Sequence, residues 1–231
     1  MDGERHGPTD RRRVLRLLAL TPGAGLALAA GLAHGSERRR GQRLQALLER
    51  GDGAVCAPTS GDTAGPFYLE GAPRRSQLAG PDEPGDRIVV RGRVLGPDCK
   101  TPLAGALLDA WQADAEGRYH ADREDEYRLR GQVLTDAKGR YAFESVVPGR
   151  YKVDEGAAAF RPAHIHFTVG GPRHRPLTTQ LYFKGDPHLA PHDACGAECN
   201  SGDPGRIVEL RREQDGPARF VAEFDVVLAK V

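Results

Sequence analysis

The chain has 231 residues, of which 39% are hydrophobic, and this length and composition suit one folded domain better than two. Twenty-nine glycines, 17 prolines and one methionine favour a turn-rich β protein over a helical bundle. Residues 1–40 hold eight arginines and four acidic residues, which leaves 25 basic and 28 acidic residues, a charge of about −3, on the rest. The absence of a basic surplus there argues against nucleic-acid binding.

The first predicted element is an export signal over residues 1–35. Arg11 and Arg12 form an arginine pair followed by a spacer, two apolar residues and another base, and an apolar stretch covers residues 17–33. This pattern resembles a twin-arginine signal. A retained transmembrane anchor is the alternative, because the stretch approaches the ~20 residues that span a bilayer. Pro22 and several glycines favour the cleaved signal, which predicts a periplasmic or extracellular protein with no membrane contact after cleavage.

A tether is predicted over residues 36–60, followed by one folded domain over residues 61–231. Strand-like runs then recur at short intervals, separated by turns rich in glycine, proline and aspartate. They cover residues 88–94, 104–112, 132–135, 141–143, 164–169, 178–183, 207–210 and 220–228. Short, evenly spaced strands predict an all-β protein, an antiparallel β-sandwich with long loops.

The chain contains four cysteines, Cys56, Cys99, Cys195 and Cys199. In an oxidising compartment an even count favours two disulfides, for which three pairings exist. Cys195 and Cys199 lie in one glycine-containing loop and are a plausible local pair, which leaves Cys56 with Cys99. A thiolate metal site is less favoured, because the four residues do not form two C-x2-C pairs.

The predicted strand at 164–169 carries His164 and His166. Side chains alternate faces along a strand, so both imidazoles point the same way while Ile165 and Phe167 point into the opposite layer. Histidine is the commonest metal ligand in proteins, and a strand holds a histidine pair rigidly. The pair therefore predicts half of a metal site that other residues must complete.

Tyrosines are the next candidates for that site. Tyr119 and Tyr151 each end a glycine turn, in Glu116-Gly117-Arg118-Tyr119 and Pro148-Gly149-Arg150-Tyr151, where a phenol can project over the end of a sandwich. Tyr141 and Tyr182 lie beside phenylalanines in strands and are predicted to be packing residues.

Together these motifs resemble the intradiol ring-cleavage dioxygenases, over about three quarters of the chain from Gly65 onwards. The likeness is carried in order by DAWQADAEGRY at 109–119, by the glycine-turn motifs at 130–151, by RPAHIHF at 161–167 and by LTTQLYF at 177–183. The resemblance implies a prealbumin-like sandwich core and a mononuclear non-haem Fe(III) held by two tyrosinates and two histidines. Carried over by position, the metal ligands are Tyr119, Tyr151, His164 and His166.

The donor set agrees with ferric iron on chemical grounds. A tyrosine loses its proton only near pH 10 unless a strong cation compensates, and trivalent iron provides that compensation. Hard phenolate oxygens favour the ferric state over the ferrous one.

The resemblance also implies the reaction, in which O2 cleaves a catechol-type ring between its two hydroxylated carbons to give a cis,cis-muconate-type diacid. Tyr151 is expected to leave the metal when the substrate arrives and to accept one of its protons. Arg161 is expected to face the bound ring and stabilise charge developing on it, and Gln180 to orient Arg161. The expected substrate-pocket residues are Pro66, Tyr68 and Trp111.

The resemblance leaves the substrate open among protocatechuate, catechol, hydroxyquinol and larger lignin-like catechols. The extended N-terminal helical region of the catechol branch is not expected, since only a tether precedes Gly65. The interval from Tyr151 to His164 is short, as in the protocatechuate branch. The expected partners are a small aromatic diol and O2, and assembly into a homo-oligomer is left open.

Two other hypotheses stand beside this one. Residues 102–106, 135–143 and 148–151 also resemble transthyretin-like or carboxypeptidase-regulatory-like modules, which bind or scaffold without catalysis, but such modules do not account for residues 161–166. A zinc or cupin-type site at the histidine pair would need a carboxylate, for which the nearby acids are Asp154, Glu155 and Asp186. His188 and His192 are predicted to be solvated loop residues, since the two prolines nearby preclude a helix.

Overall fold

The computed structural model describes residues 56–120, 127–153, 156, 158–213 and 220–231. The predicted signal and residues 36–55 of the predicted tether lie outside the described residues. In the described part of the chain, no helix has the length and apolar character needed to cross a bilayer. A compact unit extends from Cys56 to Val231.

The described residues form twelve strands and two short 3₁₀ turns. The strands are β1 Arg87–Leu95, β2 Leu107–Gln112, β3 Arg130–Leu134, β4 Arg140–Val146, β5 Tyr151–Lys152, β6 Phe160–Arg161, β7 His164–Gly170, β8 Leu177–Phe183, β9 Ile207–Val208, β10 Arg211–Arg212, β11 Phe220–Glu223 and β12 Val226–Val227. The 3₁₀ turns cover Gly196–Glu198 and Pro204–Arg206.

Two five-stranded sheets make up the sandwich, and the predicted all-β fold is confirmed. The front sheet has the order β3-β2-β7-β8-β9, and the back sheet has the order β10-β11-β1-β12 with β4 also paired to β1. A separate two-stranded ribbon joins β5 and β6. Most pairs are antiparallel as predicted, whereas β1–β11, β1–β12 and β8–β9 are parallel.

The core lies between the two sheets and contains the inward side chains of β7. Ile165, Phe167 and Val169 are fully buried, and the Phe167 ring packs 6.0 Å from Phe143 and 5.7 Å from Phe224, centroid to centroid. Burying one such side chain stabilises a fold by about 1.5–3 kcal/mol. These contacts fix which face of β7 points inward, so His164 and His166 must point outward.

The single strand predicted over 220–228 is divided into β11 and β12. The backbone N–H of Arg93 donates to the Asp225 side chain at 2.8 Å, and the Phe224 carbonyl approaches Gly92 so closely that a Cβ there would lie 1.9 Å from it. This local side-chain contact takes the place of a ladder bond, so the strand breaks at Phe224 and Asp225.

The N-terminal part of the described chain crosses the outward face of the front sheet. On that face, Gln180 Nε2 donates to the Thr63 carbonyl at 2.8 Å and the Tyr68 ring packs 4.8 Å from that of Trp111. Nearer the start of the described chain, the Thr179 hydroxyl donates to the Ser60 carbonyl at 2.8 Å. Residues 56–60, at the end of the predicted tether, are thus hydrogen-bonded to the sandwich. This cover shields the outward face of the front sheet from solvent.

Both predicted disulfides are present, and the favoured pairing is confirmed. Cys56 is bonded to Cys99, and Cys195 to Cys199. The first bond joins the start of the described chain to the turn after β1, and the second closes a short loop after β8.

Candidate metal centre

The outward face of the front sheet is buried yet polar. Trp111 is the register partner of both Arg130 and His166, and His166 is the partner of Gln180. Residues opposite one another on adjacent strands share a face, so four strands contribute one row of side chains, Arg130-Trp111-His166-Gln180. None of the four is more than 1% exposed.

Three donor atoms converge above this row. His166 Nε2 lies 3.1 Å from His164 Nε2 and 3.1 Å from the Tyr119 hydroxyl oxygen, and His164 Nε2 lies 3.4 Å from that oxygen. Ligand atoms bound at right angles about 2.1 Å from one ion are separated by about 3 Å. The three atoms are therefore spaced as ligands of a single metal ion.

The protonation of the histidines agrees with metal binding. The Nδ1–H of His164 donates to the Pro162 carbonyl at 2.7 Å, which leaves Nε2 with a lone pair facing the other two donors. Burial and the Arg161 charge lower the pKa of His164 to about 3. Burial, His164 and Arg161 hold the pKa of His166 well below its usual value. Both imidazoles are thus neutral near pH 7, the form that binds a metal.

The protonation of the Tyr119 phenol also agrees with metal binding. Burial and the nearby Tyr151 keep the pKa of Tyr119 well above 10, although the charges of Arg161 and Arg130 lower it. Tyr119 therefore stays protonated unless a strong cation compensates. The residues present fit a trivalent ion, which supplies that compensation, better than they fit a hydrogen-bonded cluster.

Arg130 adds a buried positive charge beside Tyr119. Its Nη2 donates to the His120 carbonyl at 3.1 Å, whereas Nε and Nη1 are buried with no hydrogen-bond partner among the described residues. A buried guanidinium is stabilised by a nearby anion. An ionised Tyr119 would provide one, because the charges of these two residues interact.

A carboxylate-containing site finds no support in the described residues. There, no group of three or more histidine, cysteine, aspartate or glutamate side chains is placed to hold a metal ion. Asp186 is instead paired with Arg150 at 2.9 Å and accepts the Ala163 N–H, while Asp154 and Glu155 lie outside the described residues. The third donor beside the two histidines is the Tyr119 phenol, where the zinc or cupin hypothesis requires a carboxylate.

Tyr151 stands beside the three-donor cluster. Its ring centroid lies 5.5 Å from that of Tyr119, edge-on, and 5.6 Å from that of His164. Burial raises the pKa of Tyr151, and the charge of Arg161 opposes that rise. The structure thus brings all four residues predicted as ligands to one end of the front sheet.

Two glycines hold the tyrosine-bearing turns together. Gly117 has a φ of +84°, and a Cβ there would lie 2.1 Å from the Arg150 carbonyl oxygen. A Cβ on Gly149 would lie 2.5 Å from the Ala115 carbonyl oxygen, and the Gly149 N–H donates to the Asp114 carbonyl at 2.8 Å. Only glycine permits this approach, which places Tyr119 and Tyr151 side by side.

Arg161 and Gln180 are hydrogen-bonded to each other. Arg161 Nη2 donates to Gln180 Oε1 at 2.9 Å and to the Tyr182 hydroxyl at 3.2 Å, and Gln180 Nε2 donates to the Thr63 carbonyl at 2.8 Å. Arg161 Nε donates to Asp193 at 2.8 Å.

Tyr182 is fully buried, as predicted for a packing residue, but it also makes polar contacts at the site. Its hydroxyl lies 2.9 Å from both Asp62 Oδ2 and Gln180 Oε1. Tyr182 shares the outward face because it lies two residues from Gln180, and that spacing was a signal in the sequence. Asp62 and Asp193 carried no comparable signal, since both lie in loops.

Aromatic rings surround the cluster. Trp111 stacks on His166 with centroids 4.7 Å apart, and Tyr68 packs on Trp111 at 4.8 Å while its hydroxyl donates to Asp109. Phe67, which sequence reasoning missed, stacks on Tyr119 at 4.2 Å. Of the residues predicted to line the pocket, Tyr68 and Pro66 are exposed, and Trp111 is buried behind His166.

Comparisons with known proteins identify the family. A family model described as "Dioxygenase" matches residues 63–230. Catechol 1,2-dioxygenase 2 of Acinetobacter lwoffii is 43% identical over 141 residues, covering 54% of this chain and 51% of the relative. The chain belongs to the intradiol ring-cleavage dioxygenases. Because the match extends through the strands that carry the histidines and Gln180, the transthyretin-like hypothesis is not needed.

Another relative supports the same family. The protocatechuate 3,4-dioxygenase beta chain of Burkholderia cepacia is 44% identical over 155 residues, covering 62% of this chain and 65% of the relative. The chain thus spans about half to two thirds of the length of the curated relatives it matches.

Solved structures share the fold. One is the dioxygenase domain of a dioxygenase and carbohydrate-binding protein fusion from Streptomyces sp. SirexAA-E, with a TM-score of 0.61, 34% identity and coverage of 75% of this chain and 99% of that chain. Another is 3-chlorocatechol 1,2-dioxygenase from Rhodococcus opacus 1CP, with a TM-score of 0.67, 29% identity and coverage of 80% and 78%.

Proposed function

We propose that this chain is an Fe(III)-dependent dioxygenase that cleaves a catechol-type aromatic diol between its two hydroxylated carbons with O2, giving a cis,cis-muconate-type diacid. One observation carries the proposal: His164 Nε2, His166 Nε2 and the Tyr119 hydroxyl converge within 3.1–3.4 Å beside Tyr151. Family membership supports the reaction class. The names of the relatives, which act on catechol, chlorocatechol, hydroxyquinol or protocatechuate, support the substrate class.

Four side chains would hold the iron in this proposal, namely Tyr119, Tyr151, His164 and His166. Bound ferric iron would hold the diol as a chelated dianion with electron density on a ring carbon, which makes that carbon reactive towards O2. The chain supplies a neutral imidazole pair at neutral pH and two phenols whose protons leave only beside a strong cation.

The remaining site residues act on the substrate. In this proposal Tyr151, whose ring lies beside those of Tyr119 and His164, would take a proton from a substrate hydroxyl at its phenolic oxygen. Arg161 carries a fixed charge beside Tyr151 and would stabilise negative charge developing on the ring, an effect that is strong in a dry site. Gln180 orients Arg161 by accepting from its Nη2. The rings of Phe67 and Trp111 keep water from the ligands.

The proposal is tested by aerobic oxygen uptake with a panel of catechol, protocatechuate, hydroxyquinol and a larger lignin-like catechol. We expect one O2 consumed per diol and a muconate-type product. A semialdehyde-type product would indicate extradiol cleavage and contradict the proposal, as would the absence of oxygen uptake by iron-loaded protein.

We further propose that the chain is exported through a twin-arginine signal over residues 1–35. Two disulfides support this proposal, because such bonds persist mainly in oxidising compartments. Replacing both Arg11 and Arg12 with lysine should leave the protein unprocessed in the cytoplasm, as measured by cell fractionation and N-terminal sequencing. Unchanged export of that variant would contradict the proposal.

A further inference from the structure

Arg161 is also bonded to Asp193, a residue that lies outside the family motifs and has no predicted role. We propose that Asp193 is a positioning residue that aims the Arg161 guanidinium at the metal centre, and that the Cys195–Cys199 disulfide holds Asp193 in place. The inference rests on the proposed function, in which Arg161 acts on the bound ring.

The contact between the two residues is buried and directional. Arg161 Nε donates to Asp193 Oδ1 at 2.8 Å, and the two side chains are 3% and 1% exposed. Arg161 Nη2 is held separately, by Gln180 and Tyr182. A guanidinium is planar, so fixing Nε on one side and Nη2 on another sets the orientation of the whole group. The two contacts at Nη2 alone would leave the group free to rotate about that atom.

Asp193 is itself held by the loop that follows it. Its Oδ1 also accepts the Cys195 N–H at 3.0 Å, and its carbonyl accepts the Gly196 N–H at 2.9 Å. The Ala194 N–H donates at 3.1 Å to the carbonyl of Phe160, the residue before Arg161. Asp193 is thereby joined to Arg161 both through its side chain and through the backbone.

The Cys195–Cys199 disulfide closes a loop whose two ends contact one network of polar side chains around Arg161. At the far end, the Asn200 carbonyl accepts from Arg206, and Arg206 pairs with the buried Asp62. Asp62 Oδ2 lies 2.9 Å from the Tyr182 hydroxyl, which in turn contacts Arg161. The Cys195–Cys199 bond therefore cross-links the loop between Asp193 and Asn200, which both contact this hydrogen-bond network.

The loop contributes little to the core, which points to positioning rather than folding as its role. Residues 196–198 are exposed, and Cys199 is the one buried residue between 195 and 200. A buried ion pair by itself is weak evidence for stability. What Asp193 adds is the orientation of Arg161.

Three variants test the proposal, with one matched control. Asp193→Asn keeps an oxygen acceptor and removes the charge, Asp193→Ala removes both, and Cys195→Ser/Cys199→Ser opens the loop. Cys56→Ser/Cys99→Ser removes the other disulfide, which contacts none of these residues. Because Arg161 acts on developing charge, kcat should fall while the affinity for diol under anaerobic conditions and the iron content stay unchanged.

We expect Asp193→Ala to lower kcat about 10- to 100-fold, the range usual for a residue that orients a functional group. The opened loop should lower kcat to a smaller extent, Asp193→Asn should recover part of the loss, and the control should match wild type. Crystal structures of the same proteins should show the guanidinium displaced in Asp193→Ala and in the opened loop.

Two results would overturn the proposal. One is an unmoved guanidinium in both Asp193→Ala and the opened loop, which is decisive even if wild type cleaves no diol. The other is an active wild type whose kcat survives all three changes. An inactive wild type contradicts the proposed function instead, so the two failures are distinguishable.

Discussion

At the scale of single residues, Tyr119 decides what kind of site the histidine pair belongs to. His164 and His166 alone are compatible with several metals, since imidazole binds zinc, copper and iron. A phenol with a raised pKa becomes a ligand only beside a strong cation, and its oxygen lies 3.1 Å from His166 Nε2. One oxygen atom therefore favours a ferric centre.

This assignment predicts the behaviour of Tyr119→Phe. Removing the oxygen should lower the iron content to well below one equivalent and weaken the visible tyrosinate-to-iron absorption, with Tyr151 as the one remaining source, as measured by metal analysis and visible spectroscopy. Tyr141→Phe is the control, because that buried hydroxyl donates to the Phe224 carbonyl far from the cluster. Full iron occupancy in Tyr119→Phe would show that the ligand assignment is wrong.

The histidines predict a pH dependence of the iron-free protein. Unfolded histidine titrates near pH 6.5, whereas burial lowers the pKa of His164 to about 3. Between these values the unfolded chain binds more protons, so stability should fall as pH drops from 6.5 towards 3. Each extra proton contributes a slope of about 1.4 kcal/mol per pH unit.

Urea unfolding across that pH range provides the measurement. His164→Asn should flatten the dependence in part, since His166 still contributes, and Tyr141→Phe, which removes a group that stays protonated across this range, should leave the slope unchanged. Equal slopes for His164→Asn and wild type would contradict this origin of the pH dependence.

At the scale of elements, the two glycine turns control the distance between the tyrosines. Each turn approaches the other so closely that a Cβ would meet a carbonyl oxygen within 2.5 Å. The turns lie 32 residues apart in the chain, from Gly117 to Gly149, so their contact is a product of the fold and not of local propensity. The position of Tyr151 beside Tyr119 therefore depends on backbone packing.

Gly149→Ala tests that dependence. The added methyl would force the turns apart, and we expect lower iron occupancy together with a stability loss of about 1–3 kcal/mol, as is usual for overpacking. Gly170→Ala is the control, since a Cβ there meets no atom within 4 Å. Metal analysis and denaturant unfolding measure both effects, and indistinguishable results for the two variants would contradict this role of Gly149.

Elements also show how far sequence reasoning reaches. Alternation along a strand is a local rule, so the outward direction of His164 and His166 was predictable from the pattern around Ile165. The contact between Arg161 and Asp193 was not, because it joins a strand to a loop 32 residues later. Tyr182 lies between these cases: its face follows from alternation, but its partner Asp62 comes from a segment predicted only as a domain start.

At the scale of the whole molecule, the two disulfides are expected to have different roles. Cys56–Cys99 spans 43 residues, whereas Cys195–Cys199 spans four. A cross-link stabilises mainly by restricting the unfolded chain, and the effect grows with loop length. The larger stabilisation should therefore come from the bond that is remote from the metal centre.

Chain entropy predicts about 4 kcal/mol of lost stability for Cys56→Ser/Cys99→Ser and about 2 kcal/mol for Cys195→Ser/Cys199→Ser. Denaturant unfolding of the two double variants measures the difference. The order is the reverse of that expected for kcat. If the same variant were the more impaired in both stability and turnover, the two bonds would not have separate roles.

The two faces of the front sheet have a consequence for how this protein can change over time. Inward positions such as Ile165 and Phe167 pack against the other sheet, and outward positions such as Trp111 and Gln180 support the His164–His166–Tyr119 cluster and Arg161. Substitutions at alternate residues of one strand therefore affect different properties: inward ones the stability of the fold, and outward ones the metal centre. A mutational library confined to Pro66 and Tyr68, which are exposed, could explore new ring substituents while both faces of the front sheet stay intact.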